Sequence, residues 1–158
     1  MNESKRDVLK EYEKLLESAT TNHLHKEIAK YLINNMNAIA WGMKRGWLNG
    51  ASSDDMEYVQ HYLALRDKYA GKLYPESLLG EQSHELCRGE YHPRFDDSII
   101  IESLQSYDFG HEAGKLILGM IKHNYAVRCN KFQTDNGKPE DVAFAKKVVS
   151  VIEGMLPK

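Results

Sequence analysis

Residues 109–132 constrain the fold more than any other part of the chain. On a helical wheel with 100° between successive residues, their apolar side chains fill an arc of roughly 200°, about twice the width of an ordinary amphipathic stripe. The arc consists of Phe109, Ala113, Leu116, Ile117, Leu118, Met120, Ile121, Tyr125 and Val127. A helix with so much apolar surface has to be covered from several sides. We therefore predict that residues 1–158 form one all-α domain around a central helix at about 109–132, with Leu116, Met120 and Val127 among its buried residues.

Amphipathic segments on both sides of this helix predict the rest of the domain. Apolar residues recur at helical spacing in 3–19, 22–48, 52–71, 97–107 and 139–156. Asn22, Ser52 and Asp97 have the side chains of helix N-caps, and Gly50 is predicted to end the second helix. The sequence thus predicts a single-domain bundle of about five main helices, interrupted by a long irregular loop at about 71–97.

Charge and cysteine content narrow the classes of partner and compartment. The chain has 158 residues, with 21 Lys and Arg against 23 Asp and Glu and a net charge of −2. No overall field therefore attracts DNA or RNA. No stretch approaches the ~18 apolar residues of a membrane span, and two distant cysteines, Cys87 and Cys129, are typical of a reduced protein. We expect a cytoplasmic protein that binds neither nucleic acid nor membrane.

Trp41 departs most sharply from the packing pattern. Met43 and Trp47 fall on the predicted core face of the second helix. Trp41 falls on the opposite, polar side, with Asn34, Asn37, Lys44 and Leu48. Because a tryptophan there would expose a large apolar area, it is covered either by another part of the chain or by a partner or a second copy.

The third predicted helix carries tyrosines along one side. Tyr58, Tyr62 and Tyr69 fall within about 40° of one another, flanked by Arg66. Tyrosine has an apolar body and a polar tip, so the stripe suits either a half-buried seam between helices or a partner surface. Under the second interpretation, the partner-binding residues are Trp41, Asn37, Lys44, Leu48, Tyr58, Tyr62 and Arg66.

Three polar residues interrupt apolar faces. Asn124 and Arg128 lie within the arc of residues 109–132, and Asn35 occupies the corresponding place on the second helix. Buried polar groups need hydrogen-bond partners. These residues therefore form either a satisfied network that fixes helix register or the lining of a ligand pocket.

Patterns for metal binding and catalysis are weak. His84, Cys87 and His92 offer three zinc ligands without a fourth, so no metal is predicted. Four residues at the start of the 109–132 helix have the spacing either of an acid/base set or of solvated charge pairs, which are far commoner: Asp108, His111, Glu112 and Lys115. Phosphate-binding glycine loops, nucleophile elbows and dinucleotide fingerprints are absent. No catalytic residue and no cofactor are predicted.

Aromatic residues outside the predicted core, with no catalytic motif, favour a cytosolic protein-binding module. A module of the inhibitor, immunity or adaptor type would occlude or bridge another protein or a second copy of itself.

The alternative is a small-ligand binder or enzyme that uses a polar pocket around Asn124 and Arg128, or the His-rich loop with Asp108, His111 and Glu112. Its ligand-binding residues would be Asn35, His92, His111, Glu112, Asn124 and Arg128. In the enzyme case, His92, Asp96, His111 and Glu112 should meet around one accessible cavity.

Overall fold

Six α-helices and one turn of 3₁₀ helix form the regular structure of the described residues. The computed structural model describes residues 1–75, 95–134 and 137–156 and, within 131–134, the backbone alone. The helices are α1 (Glu3–Ala19), α2 (His23–Lys44), α3 (Ser53–Leu73), α4 (Ile100–Ser106), α5 (Glu112–Thr134) and α6 (Pro139–Met155), and the 3₁₀ turn Asp97–Ile99 leads into α4. These residues contain no strand, and none of their helices is long and apolar enough to cross a membrane. The prediction of an all-α domain is therefore confirmed.

Side-chain caps determine where the first three helices begin. Asn2, Asn22 and Ser52 each stand directly before a helix, and the side-chain oxygen of each accepts a hydrogen bond from backbone N–H groups of the first turn. The predicted caps at Asn22 and Ser52 are confirmed, and α1 has the predicted bounds. The predicted cap at Asp97 is wrong, because Asp96 caps the 3₁₀ turn and Asp97 lies within it. The predicted loop starts later than residue 71, because α3 runs to Leu73, and its residues 76–94 lie outside the described part of the chain.

The helix with the most extensively buried surface is α2. It packs against α1, α3, α4 and α5. Its fully buried large side chains are spread around most of the helix: Ile28, Tyr31, Leu32, Ile33 and Met36. The helix α5 packs against α1, α2 and α6. The central arrangement predicted for residues 109–132 is therefore not shown by this packing.

Only one side of α5 faces the core. Ala113, Ile117 and Ile121 are buried as predicted, and Met120 is half-buried. The predicted burial of Leu116 and Val127 is wrong, because they remain 45 % and 50 % exposed.

The neighbouring helices of α5 explain this difference. They cover its inner side, and the apolar arc is wider than the surface they cover. We call the uncovered side, consisting of Leu116, Met120, His123 and Val127, the outer α5 stripe.

The second helix ends earlier than predicted, at Lys44. Gly46 has a left-handed backbone with φ of 81°, and its N–H donates to the carbonyl of Met43 at 3.1 Å. The Trp47 N–H donates to the carbonyl of Gly42 at 3.0 Å. These two bonds form a Schellman motif, in which glycine reverses the chain and the next residue packs back on the helix.

Two residues that were predicted on the core face of α2 are exposed. Met43 remains in the last turn of the helix, whereas the early end of α2 moves Trp47 off that face. Met43 is 36 % exposed and Trp47 is 66 % exposed, so their predicted burial is wrong. The helical wheel places Trp47 on the core face only if the helix continues through Gly46, whereas the chain reverses at that glycine.

Two neighbouring alanine substitutions test the division of α5 into inner and outer sides. Ile117 is fully buried, so Ile117→Ala should lower the free energy of unfolding by about 2–5 kcal/mol through lost burial and a residual cavity. Leu116→Ala removes a side chain that is largely in water and should cost less than about 1 kcal/mol. Urea unfolding of both variants at low protein concentration, followed by circular dichroism, measures the difference. Equal losses would contradict the placement of Leu116 on the outer side.

Candidate functional site

The turn after α2 brings both tryptophans of the chain together. The indole rings of Trp41 and Trp47 lie edge to face, with centroids 4.6 Å apart and planes at 79°. The guanidinium carbon of Arg45 lies 4.0 Å from the centre of the Trp41 ring. Trp41 is half-buried, so its cover comes in part from Trp47, which is itself mostly exposed. We call Trp41, Arg45 and Trp47 the tryptophan surface.

Two details show how closely Trp47 lies against α2. A Cβ atom at position 42 would collide with Cε3 of Trp47, so Gly42 is what allows the ring to reach the helix. The Nε1 atom of Trp41 is buried and has no hydrogen-bond acceptor among the described residues. Since a buried indole N–H normally finds an acceptor, the tryptophan surface contains an unused donor.

The other residues predicted around Trp41 divide between interior and surface. Asn37 is buried, and its Oδ1 accepts from Nη1 of Arg66 at 3.4 Å. Lys44 is exposed and Leu48 is half-buried. Asn37 therefore takes part in packing between α2 and α3, while Lys44 and Leu48 remain accessible.

The tyrosine stripe lies in the seams that α3 forms with α1 and α2, and the Tyr69 hydroxyl donates to Glu13 and Glu17 of α1. Tyr62 is 3 % exposed, and its hydroxyl donates to Oδ1 of Asn35 at 2.6 Å. Tyr58 stacks on Tyr62, with ring centroids 5.9 Å apart. Arg66 also reaches from α3 to Asn37 on α2. These contacts are those of the half-buried seam, one of the two interpretations of the stripe.

Arg128 is the centre of a polar network between α5 and the 3₁₀ turn. Its Nη1 donates to both carboxylate oxygens of Asp97, at 2.7 and 2.9 Å, and its Nε donates to Oδ1 of Asn124 at 2.7 Å. The Tyr125 hydroxyl donates to the same carboxylate. The Tyr31 hydroxyl accepts from Nη2 of Arg128 at 3.4 Å. The network thus joins α2, the 3₁₀ turn and α5.

Aromatic rings enclose the guanidinium of this network. The Arg128 guanidinium carbon lies 4.3 Å from the ring centre of Tyr125 and 5.2 Å from that of Phe95, and Phe95 stacks on Tyr31 at 4.3 Å. Burial raises the pKa of both Tyr31 and Tyr125 above its ordinary value. Because each polar side chain has a partner, the geometry fits a satisfied network that fixes helix register. Asn35, which was predicted to share it, joins the α2–α3 seam instead.

A buried carboxylate holds the chain just before this network. Glu27 is 1 % exposed, with Oε1 accepting from Nζ of Lys30 at 2.7 Å and Oε2 accepting from the backbone N–H of Asp96 at 2.8 Å. The Asp96 side chain accepts from the N–H of Ser98 and so caps the 3₁₀ turn. Asp96 therefore has a structural role at the start of the 3₁₀ turn.

His111 and Glu112 line an open groove of about 590 Å³ between α1 and the start of α5. Nδ1 of His111 accepts from the N–H of Gly114 at 3.0 Å, so the ring caps the first turn of α5. Its Nε2 lies 3.8 Å from Oε2 of Glu11 and 3.5 Å from the Tyr107 hydroxyl. The groove has an acidic character, because its lining includes four carboxylates against two lysines: Glu3, Asp7, Glu11 and Glu112 against Lys10 and Lys14.

The residues expected to converge in an enzyme do not share one cavity in the described structure. His111 and Glu112 line the α1–α5 groove, and Asp96 is absent from that lining and binds Glu27 instead. Asp108 accepts from the N–H of Gly110 in an exposed turn. Three predicted candidates lie outside the described residues: His84, Cys87 and His92. The part of the chain that the structure describes contains no group of three or more His, Cys, Asp or Glu side chains that could hold a metal ion.

Three residues of these sites were not identified from the sequence. Trp47 was assigned to the core, although a glycine followed by an apolar residue is the signature of the turn that exposes it. Asp97 was interpreted only as a helix cap, and Tyr31 was not singled out. No sequence spacing indicates that residues 31, 97 and 128 meet, because they come from three separate elements.

Comparison of the chain with protein-family models, with curated proteins and with solved structures finds no match. The function therefore has to be inferred from the surfaces themselves.

Alkaline unfolding tests the burial of the tyrosines in the Arg128 network. A buried phenol has a raised pKa, so its contribution to stability is complete below the unfolded pKa of about 10 and is lost as the pH rises through the folded pKa. Tyr125→Phe should lower the free energy of unfolding at neutral pH by about 1 kcal/mol, because the hydrogen bond to Asp97 is lost. Above about pH 10 the variant should lose less stability than the wild type. Urea unfolding of both proteins across this range provides the measurement, and identical pH dependence would argue against a buried Tyr125 hydroxyl.

Proposed function

We propose that this protein is a protein-binding module that contacts its partner through the tryptophan surface. The observation that carries the proposal is the 66 % exposure of Trp47. Tryptophan is enriched among the few residues that supply most of the energy of protein interfaces, and a large exposed aromatic is costly unless it is covered. A module of the inhibitor, immunity or adaptor type needs such an anchor to occlude or bridge its partner, and it needs no catalytic group.

The position of the anchor is fixed before any partner binds. The two hydrogen bonds of the Schellman motif hold the backbone of Trp47, and its ring rests on Trp41 and on the bare backbone of Gly42. Binding to a preorganised side chain loses less conformational entropy than binding to a mobile one. This arrangement therefore favours Trp47 as the contact that determines affinity.

The chemistry of the tryptophan surface indicates what a partner segment should offer. The exposed indole of Trp47 would pack against an apolar side chain or an extended backbone segment of the partner. Beside it, Arg45 brings positive charge over the Trp41 ring, and Nε1 of Trp41 lacks an acceptor in the described residues. A partner segment that combines an apolar side chain with a carboxylate would therefore complement this surface.

Removal of the anchor tests the proposal. Affinity capture from the native host should retain a protein on the immobilised wild-type chain, and Trp47→Ala should weaken its affinity by about 2 kcal/mol or more, roughly 30-fold. Because Trp47 is mostly in water, the free energy of unfolding should change by less than about 1 kcal/mol. Titration calorimetry with the captured protein measures the first quantity, and urea unfolding measures the second.

Two further variants separate the role of the surface from a general loss of apolar area. Gly42→Ala keeps both indoles but displaces the Trp47 ring, so it should also weaken binding, while alanine favours the helix by about 1 kcal/mol. Met155→Gln changes an exposed apolar residue on α6 and should leave binding unchanged. If Trp47→Ala bound every captured protein as tightly as the wild type does, the proposal would be wrong.

A second candidate function is the binding of a small cationic ligand in the α1–α5 groove. The observation that favours it is the meeting of Glu11, His111 and Glu112 in one groove of about 590 Å³. By contrast, the polar groups around Asn124 and Arg128 already bind Asp97 and Tyr31. The groove is thus the better location for the small-ligand alternative.

A titration with spermidine tests this second candidate. Nuclear magnetic resonance signals of His111 and Ala113 should move with saturable dependence on spermidine concentration, because carboxylates of the groove would attract the cation. Glu112→Gln removes one charge and should weaken the response several-fold. Asp67→Asn removes a surface charge outside the groove and serves as the control. Unsaturable shifts that are the same in all three proteins would eliminate the groove as a specific site.

A further inference from the structure

The outer α5 stripe is a second apolar surface that the described residues leave exposed. Leu116 and Val127 are 45 % and 50 % exposed, and Met120 and His123 lie between them on the same side. On the helical wheel this side points away from Ile117 and Ile121, which face the core. No Asp, Glu, Lys or Arg lies on the stripe from residue 116 to residue 127.

We propose that the outer α5 stripe is the contact surface for a second copy of this chain, with the two α5 helices antiparallel. A half-turn about the midpoint between Met120 and His123 exchanges those two positions. It also exchanges Leu116 with Val127, because both pairs have the same midpoint in the helix. Each apolar residue of one copy then meets an apolar or aromatic residue of the other. The surface is therefore self-complementary under two-fold symmetry, as the interface of a symmetric dimer requires.

The charge distribution around the stripe favours this occupant. A partner with ionised groups opposite the stripe would bury them without counter-charges, which is strongly unfavourable. The same stripe on a second copy brings no ionised Asp, Glu, Lys or Arg, and antiparallel packing opposes the two helix dipoles favourably. Lys122 lies to the side, where its Nζ is 3.7 Å from Oε1 of Glu153 within the same chain. Both charges can thus remain in water when two stripes meet.

Space and size determine how the two copies would meet and how strongly. A Cβ atom added at Gly119 would contact nothing within 4 Å, so a second helix can approach α5 closely beside the stripe. From residue 116 to residue 127 the stripe extends about 16 Å along the helix. Four side chains over this length bury less area than the ~800 Å² per partner of a standard-size interface, and far less than a permanent dimer buries. The dimer is therefore transient, with a dissociation constant of micromolar order.

Sedimentation equilibrium of the purified full chain tests the proposal. The wild type should change from monomer to dimer as the concentration rises from about 1 to 500 μM. Leu116→Gln and Val127→Gln should each raise the dissociation constant at least ten-fold, while the midpoint of urea unfolding at low concentration stays nearly unchanged because both side chains are already exposed. Trp47→Ala, which changes the other exposed surface, should dimerise like the wild type. This control separates failure of the dimer from failure of the proposed function.

Cysteine cross-linking tests the antiparallel register. In a background of Cys87→Ser and Cys129→Ala, a mixture of Leu116→Cys and Val127→Cys chains should form a disulfide-linked dimer faster than either chain alone, because the half-turn brings these positions together. A chain that stays monomeric at the highest concentration would overturn the proposal. It would also be overturned by glutamine variants that dimerise normally, or by faster cross-linking of Leu116→Cys with itself.

Discussion

The burial of α2 on most of its circumference is the constraint on which the rest of this structure depends. Glu27, Tyr31, Ile33 and Asn37 are all buried although they point in different directions around the helix, and this is possible only if helices cover it on several sides. The helices α1, α3, α4 and α5 take these places. Because α5 packs against α1, α2 and α6 on its inner surface, the described residues leave its outer side exposed. The exposed apolar surface of α5 is thus the part of its apolar arc that the neighbouring helices do not cover.

The sequence predicted local structure well because local chemistry determines it. Asn22 and Ser52 cap helices as expected, and α1 has the predicted bounds, since side-chain caps and helical spacing are properties of a few neighbouring residues. Burial is different, because it depends on where distant elements lie. A wheel shows that Leu116 is apolar, and it cannot show whether another helix passes over it. The same limit explains why α5 was placed at the centre of the domain.

The sequence identified some residues of the candidate sites but not their contacts, because those contacts join distant parts of the chain. Asn124 and Arg128 were recognised as polar residues within an apolar arc, and they do form a network, but their partner Asp97 comes from a separate segment. Trp41 was recognised as an aromatic residue out of place. The exposed member of the pair is Trp47, because α2 ends at Lys44 and the chain reverses at Gly46. One backbone angle thus decided which tryptophan faces water.

The pairing of the two indoles also makes the tryptophan surface directly observable. The chain contains only two tryptophans, and their ring centres are 4.6 Å apart. All tryptophan fluorescence of the protein therefore comes from this one surface. Two rings at this distance and nearly perpendicular should also couple their electronic transitions, which adds a signal to the near-ultraviolet circular dichroism. A molecule that binds here and moves Trp47 would change both signals in the unmodified protein, whereas one that binds the outer α5 stripe would leave them largely unchanged.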